Sequence, residues 1–247
     1  MLEITDLTRS FGGVRAVDGL SFAVGTGEVF GLIGPNGSGK TTTVNLITGL
    51  LHPGAGRVVF RGRNITAQRP HRIARAGIAR TFQNLRLFAE LSGLDNVRAG
   101  QSAGCAGAAD WLWPLARQAE ATRRAQAEAL LAQVGLQADA AQEASALSYG
   151  EQKRLEIARA LACGPALLLL DEPAAGLGRR EMEPLARLIA GLRARGVSVL
   201  LIEHNVRFVM EVCDRLAVLN FGRLIALGSP AEIRRDPAVI EAYLGQD

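Results

Sequence analysis

Apolar positions along this 247-residue chain follow two regimes, separated by an alanine-rich stretch. In the first quarter, short apolar runs alternate with turn residues. Leu2–Leu7, Leu20–Val24 and Glu28–Ile33 predict strands, and Arg57–Arg61 predicts another after the turn Pro53-Gly54-Ala55-Gly56. Thr41–Leu50 follows a glycine-rich loop and predicts a helix ending near Gly49. From about Leu87 to Cys163 the sequence turns helical in character. Ala116–Val134 carries apolar residues at helical spacing among Arg117, Glu120, Arg123, Arg124 and Glu128. Within that stretch Ala99–Ala109, rich in Gly, Ala and Ser, predicts a loop or a frayed helix end.

The last third alternates again. Ala166–Leu170, Val197–Ile202, Arg215–Leu219 and Arg223–Leu227 predict strands, with helices over Glu181–Arg195 and Val206–Val212. Strands alternating with helices imply an α/β fold whose parallel sheet is covered on both faces. The expected organisation is an α/β core, residues 1–86 and 164–247, interrupted by a helical subdomain at 87–163.

Composition changes this picture little. Apolar residues at 48% and charged residues at 21% are ordinary for a globular chain and exclude disordered, collagen-like and coiled-coil classes. A net charge of +4 is weak for this length, so no nucleic-acid partner is expected. The basic residues are nearly all arginine; Lys40 and Lys153 are the two lysines. Cys105, Cys163 and Cys213 are too scattered for a disulfide framework or zinc site, and are expected to be buried or passive in a reducing cytosol. Met1–Ser10 lacks a basic region followed by an apolar run, so no signal peptide is expected. No run approaches the length of a membrane helix.

Candidate chemistry begins at Gly34-Pro35-Asn36-Gly37-Ser38-Gly39-Lys40-Thr41-Thr42. This string fits G-x-x-x-x-G-K-[ST] between a predicted strand and a predicted helix, the context a phosphate loop requires. Glycines let backbone N–H groups turn toward an anion, and the helix N-terminus adds its positive dipole end. Lys40 is placed to reach the β- and γ-phosphates, and the Thr41 hydroxyl to ligate Mg²⁺. The alternative is a glycine-rich turn with a chance lysine. Leu167-Leu168-Leu169-Leu170-Asp171-Glu172 reads as a buried strand ending in two acids. Ligands of open α/β sheets bind beyond such strand ends. Asp171 is the expected Mg²⁺ carboxylate and Glu172 the expected base for an attacking water. The two motifs together define a P-loop NTPase without separating GTPase, kinase, helicase and transport ATPase.

Leu147-Ser148-Tyr149-Gly150-Glu151 narrows the class. By itself Ser148 with Glu151 makes a capping box, S-x-x-E. The string also resembles the signature L-S-x-G-[QE] of the ATP-binding cassette (ABC) family, and its Ser148 lies 23 residues before Asp171. Gln83 resembles the family's glutamine that senses Mg²⁺ and the attacking water. His204, 32 residues after Glu172, resembles its switch histidine, and Phe11 the aromatic that stacks on adenine. The resemblance spans Leu2 to Leu244. It implies ATP and Mg²⁺ as ligands, and a head-to-tail pair with a second ATPase subunit. In that pair the signature of one subunit caps the nucleotide of the other.

Gly178 stands where the family has an Asp or Asn that reaches across the pair, so the resemblance implies a weakened or asymmetric contact there. Gly77–Phe88, Ala174–Leu177 and, in the ending, Asn220–Arg223, Gly228–Ile233 and Asp236–Gly245 are similar to ATPases of bacterial branched-chain amino-acid importers. Such importers combine two ATPases, two permeases and a periplasmic binding protein, and place the ATPase on the cytoplasmic face of the inner membrane. Urea, short amides or another small solute is the alternative cargo, and a soluble or an export ABC ATPase the alternative class. Leu85–Val97, with Phe88, Leu91 and Leu94, falls where the family receives the permease's cytoplasmic helix; internal packing is the other reading. Trp111 and Trp113 are expected to pack on the helical subdomain.

Overall fold

A computed structural model describes residues 1–102 and 113–244. Two sheets form its frame. The smaller is antiparallel, in the order β2-β1-β4-β5, from β1 (Leu2–Phe11), β2 (Val14–Val24), β4 (Ala55–Phe60) and β5 (Arg63–Asn64). The larger has the order β10-β9-β3-β8-β7-β6. It is built from β3 (Val29–Ile33), β6 (Ile78–Arg80), β7 (Leu167–Asp171), β8 (Ser198–Ile202), β9 (Arg215–Asn220) and β10 (Arg223–Gly228). Its strands run parallel from β9 through β6, and β10 returns antiparallel on β9.

Every residue of β3, β7 and β8 is buried, as central parallel strands require when both faces are covered. Alternation then sorts their side chains into two cores. Val29, Ile33, Leu168, Leu170, Val199 and Leu201 face a core lined by helices, with Leu155 and Ile157 of α5 (Tyr149–Leu161) and Leu185 and Ile189 of α6 (Arg179–Ala194). Phe30, Leu32, Leu167, Leu169, Leu200 and Ile202 face the opposite core. There they meet the antiparallel sheet and Val44, Leu46 and Ile47 of α1 (Lys40–Ile47). One cover of the parallel sheet is therefore itself largely a sheet.

The middle of the chain contributes α3 (Gly93–Ser102), α4 (Trp113–Gln133) and α5, packed against one another. Short helices complete the chain: α2 (Pro70–Arg75), α7 (Val206–Val212), α8 (Pro230–Ile233) and α9 (Pro237–Leu244).

Several sequence expectations change. β2 begins at Val14 rather than Leu20, because its first half is a solvent-facing hairpin arm with Val14 and Arg15 exposed. The segment after Leu87 is not yet helical; helix begins only at Gly93, after a bridge between Ser92 and Glu143. The stretch from Ala99, expected as a loop or a frayed helix end, begins as the last turn of α3, which continues to Ser102; residues 103–109 lie outside the described residues. α2 and β6 were not predicted: each is too short for a period to emerge. Cys105 and Trp111 lie outside the described residues, as does the side chain of Trp113. Cys213 is buried, and burial pushes its thiol pKa up; Cys163 is exposed.

Gly31 shows how tightly the central strand is covered. A Cβ there would collide with Leu216 Cδ2 and press on Cys213 Sγ at 3.0 Å and Val209 Cγ1 at 3.1 Å. Gly31→Ala is expected to cost about 1–3 kcal/mol by overpacking. Gly191→Ala, inside α6 with open space around the new Cβ, is expected to gain about 0.5–1 kcal/mol. Urea denaturation should move the two midpoints in opposite directions at unchanged slope.

Candidate active site

The carboxyl ends of β3, β8, β7 and β6 lie side by side, because these strands are parallel neighbours in that order. The chain leaving β3 is Gly34–Gly39; β7 ends in Asp171, with Glu172 next; His204 follows β8; Gln83 follows β6. Four segments distant in sequence are thus delivered to one edge.

The loop after β3 needs glycine at two points. Gly34 has φ 150°, and a Cβ there would collide with the Leu219 carbonyl. Gly39 has φ 102°, and a Cβ there would collide with the Ala16 carbonyl. α1 then starts on Gly39 with no side-chain cap and no acid in its first turn. Its leading N–H groups and dipole are left for an anion. Lys40 is buried, and its Nζ donates to Gly34 O at 2.7 Å, Pro35 O at 2.9 Å and Ser38 Oγ at 3.5 Å. Desolvation pulls its pKa down, against the fields of Glu172 and Asp171. Asn36 and Thr41 are exposed at the mouth of the loop, and Thr42 is half-buried beyond it. Phe11 ends β1 and is exposed, with the Arg9 guanidinium 5.0 Å from its ring centre.

Three of the sequence candidates meet at one atom. Gln83 Nε2 donates to Glu172 Oε2 at 2.9 Å, and His204 Nδ1 stands 3.8 Å from the same oxygen. Glu172 adopts left-handed backbone geometry, φ 50°. That conformation costs a non-glycine residue about 1–3 kcal/mol and is held only when its surroundings over-determine it. Here Glu172 N–H donates to Ile202 O at 2.9 Å, fixing the turn to the neighbouring strand.

Two residues at this edge carried no signal of their own in the sequence. Arg80 ends β6 and donates Nη2 to Asp171 Oδ2 at 2.6 Å, both side chains being nearly buried. Its Nη1 reaches Asn45 Oδ1 at 2.7 Å and Thr48 Oγ1 at 3.3 Å, joining the helix after the phosphate loop to the acid strand. Glu203, fully buried beside His204, accepts from Ala174 N at 2.7 Å, His204 N at 3.2 Å and Asn205 N at 3.4 Å. Burial pushes its pKa up, and those N–H groups oppose the shift. A lone arginine three residues before a glutamine, or a glutamate before a histidine, has no spacing that marks it; tertiary structure brings Arg80 to Asp171 and Glu203 to Ala174.

The signature string sits elsewhere. Ser148 caps α5 as a full capping box: Ser148 N and Oγ donate to Glu151 Oε2 at 2.8 and 2.7 Å, and Glu151 N donates back at 3.4 Å. The Ser148 bonds hold the Glu151 pKa down. Leu147 belongs to the helical core, and Gly150 is buried where a Cβ would press on Glu181. Ser148 and Tyr149 remain exposed. Among the described residues no hydrogen bond joins 147–151 to the phosphate loop. Gly178 is the N-cap of α6, its N–H donating to Glu181 Oε2 at 2.9 Å.

An uncapped helix start with a buried lysine fits a polyphosphate. The hard oxygen donors nearby, the Thr41 hydroxyl, the Asp171 carboxylate and the Gln83 amide, suit Mg²⁺ better than a softer metal. Among the described residues no cluster of three His, Cys, Asp or Glu could hold a metal. Mg²⁺ needs none, since it takes few protein ligands and shares the rest with phosphate.

Comparison with known proteins agrees with this geometry. The ABC transporter family matches residues 17–175, and the branched-chain amino acid ATP-binding cassette transporter family matches 223–247. The chain is 42% identical to the high-affinity branched-chain amino acid transport ATP-binding protein BraF of Pseudomonas aeruginosa, over 100% of this chain and 98% of that one. It is 40% identical to the lipopolysaccharide export system ATP-binding protein LptB of Acidithiobacillus ferridurans, over 99% and 97%. The ADP conformation of MJ1267, an ATP-binding cassette of an ABC transporter, superposes with a TM-score of 0.88 at 32% identity, covering 100% and 99%. The chain belongs to the ABC transporter family. It is a nucleotide-binding ATPase subunit of the kind that powers transport through membrane permeases.

The Arg80–Asp171 pair is buried, so removing one partner strands a charge. Arg80→Met is expected to destabilise the fold by about 3–5 kcal/mol. Adding Asp171→Asn should recover part of that loss. Chemical denaturation of the two single variants and the double variant measures both.

Proposed function

We propose that this chain drives uptake of branched-chain amino acids in a bacterial importer, hydrolysing ATP at the edge built from β3, β8, β7 and β6. The observation that carries the hydrolytic reading is the convergence of Gln83 and His204 on Glu172 Oε2. Residues Gly34, Pro35, Asn36, Gly37, Ser38 and Gly39, with the first turn of α1 through Thr42, enclose the phosphates with backbone N–H groups. Lys40 exchanges the Gly34 and Pro35 carbonyls for β- and γ-phosphate oxygens. Thr41, Gln83 and, through water, Asp171 would hold Mg²⁺, which would supply positive charge against the phosphates. Glu172 accepts the proton of the attacking water; Gln83 and His204 orient its carboxylate, and His204 contacts the γ-phosphate. Phe11 offers its ring to adenine.

Ser148, Tyr149 and Gly150 serve the nucleotide of a second ATPase subunit, with Leu147 and Glu151 fixing the shape of the turn. That subunit, two transmembrane permeases and, indirectly, a periplasmic binding protein complete the assembly. No helix among the described residues is long and apolar enough to cross a membrane; attachment to the cytoplasmic face of the inner membrane is through the permeases.

The division into a core, 1–86 and 164–247, and a helical subdomain, 87–163, gives the permease its seat. A groove of about 700 Å³ runs between the two and is lined by Ile73, Phe82, Phe88, Glu156 and Arg159. Phe88 is 53% exposed there. For cargo, the match of residues 223–247 to the branched-chain family favours amino-acid import over lipid export, which the likeness to LptB makes the second reading.

Lys40→Ala should abolish tight ATP binding, read by equilibrium titration with a fluorescent ATP analogue; normal affinity would refute the phosphate-loop assignment. Glu172→Gln should retain binding, trap an ATP-bound pair and lower turnover by about 10²–10⁴-fold. Retained turnover would remove Glu172 as the base. In proteoliposomes holding the whole transporter, binding protein loaded with leucine, isoleucine or valine should stimulate hydrolysis. Stimulation by lipopolysaccharide alone would favour the exporter.

A further inference from the structure

We infer that Lys153 is a positioning residue for hydrolysis, its ammonium tying the backbone of Gln83 to the backbone of Glu172 and thereby setting the geometry of that side-chain pair. The inference rests on Glu172 acting as the base.

Lys153 is 3% exposed and is one of two lysines, with Lys40, in a chain whose other basic side chains are nearly all arginine. Its Nζ donates to Gln83 O at 3.2 Å and to Glu172 O at 3.4 Å, carbonyls 70 and 19 residues away in sequence. Together with the bond from Gln83 Nε2 to Glu172 Oε2, these contacts close a ring: ammonium, Gln83 backbone, Gln83 side chain, Glu172 side chain, Glu172 backbone. Glu172 is then held at both ends of its left-handed turn, its N–H by Ile202 O and its C=O by Lys153. The ammonium also stands 5.6 Å from the centre of the Tyr149 ring, so one side chain touches the segment after β6, the segment after β7 and the start of α5.

Glu156, three residues along α5, works on the same loop. It is buried and accepts from Arg86 N at 3.3 Å. α5 thus holds the Gln83 loop by an ammonium on a carbonyl and by a carboxylate on an N–H. The two contacts have opposite polarity and come from adjacent turns of one helix. A compact ammonium with three rotatable donors can serve two carbonyls that approach from different directions, whereas a planar guanidinium fits that arrangement less closely.

The test uses the assembled transporter and compares wild type with Lys153→Met, Lys153→Arg, Lys153→Gln and Glu172→Gln, with ATPase kinetics and thermal melting on each. Lys153→Met keeps the stem and removes the donors. Its kcat is expected to fall between about 10- and 100-fold, as for a displaced reacting group, while KM for ATP stays within about twofold. Lys153→Arg should restore part of kcat at the same KM. A wild-type kcat in Lys153→Met overturns the inference, and so does a loss that Lys153→Arg does not partly restore. If Lys153→Met does not fold, the order of kcat should be Lys, then Arg, then Gln; equal kcat in all three overturns it. Turnover by Glu172→Gln would sink the base assignment itself. A dead Glu172→Gln beside a fully active Lys153→Met would sink the role of Lys153 alone.

Discussion

The site depends on one constraint: β3, β8, β7 and β6 run in the same direction as adjacent strands. Parallel pairing fixes their carboxyl ends at a common edge, and the ligand crevice of an open α/β sheet forms there. The phosphate loop, the two acids, the histidine and the glutamine are then neighbours by topology, although the chain separates Lys40 from His204 by most of its length. Burial on both faces keeps the strands from slipping, since a one-residue shift would exchange Leu168 and Leu170 with Leu167 and Leu169 between two different cores.

The two functional helix starts solve opposite problems. α1 begins without a cap or an acid, so its positive end remains open to an anion. α5 begins with a complete capping box, which spends the Ser148 side chain on Glu151 and leaves an ordered, outward-facing turn. Polar groups between them are tied to one or more partners: Arg80 through its Nη2 to Asp171, Lys153 to two carbonyls, Glu203 to three N–H groups. Buried polar groups are rarely left without partners, and each of these ties fixes a residue or backbone segment at the edge where Lys40, Asp171, Glu172 and His204 stand.

Much of this was legible in the sequence, for identifiable reasons. The phosphate loop could be read because its glycines, lysine and threonine have fixed spacing between a strand and a helix. β3, β7 and β8 could be read because fully buried strands are continuous apolar runs. Glu172 could be read from an apolar strand ending in two acids, Gln83 and His204 were found by resemblance, and the meeting of all three on one oxygen belongs to tertiary structure. β6 and α2 escaped because three and six residues are too few to show a period. Arg80 and Glu203 escaped because Asp171 and Ala174, partners that fix them, lie 91 and 29 residues away in sequence, which no local pattern encodes. Lys153 stood out only by the rarity of its residue type.

The most direct measurement is uptake of labelled leucine by cells that lack this chain and are resupplied with either wild type or Glu172→Gln. A branched-chain importer driven from Glu172 predicts that uptake falls in the deletion and returns with wild type alone. Undiminished uptake in the deletion, or rescue by Glu172→Gln, would contradict it.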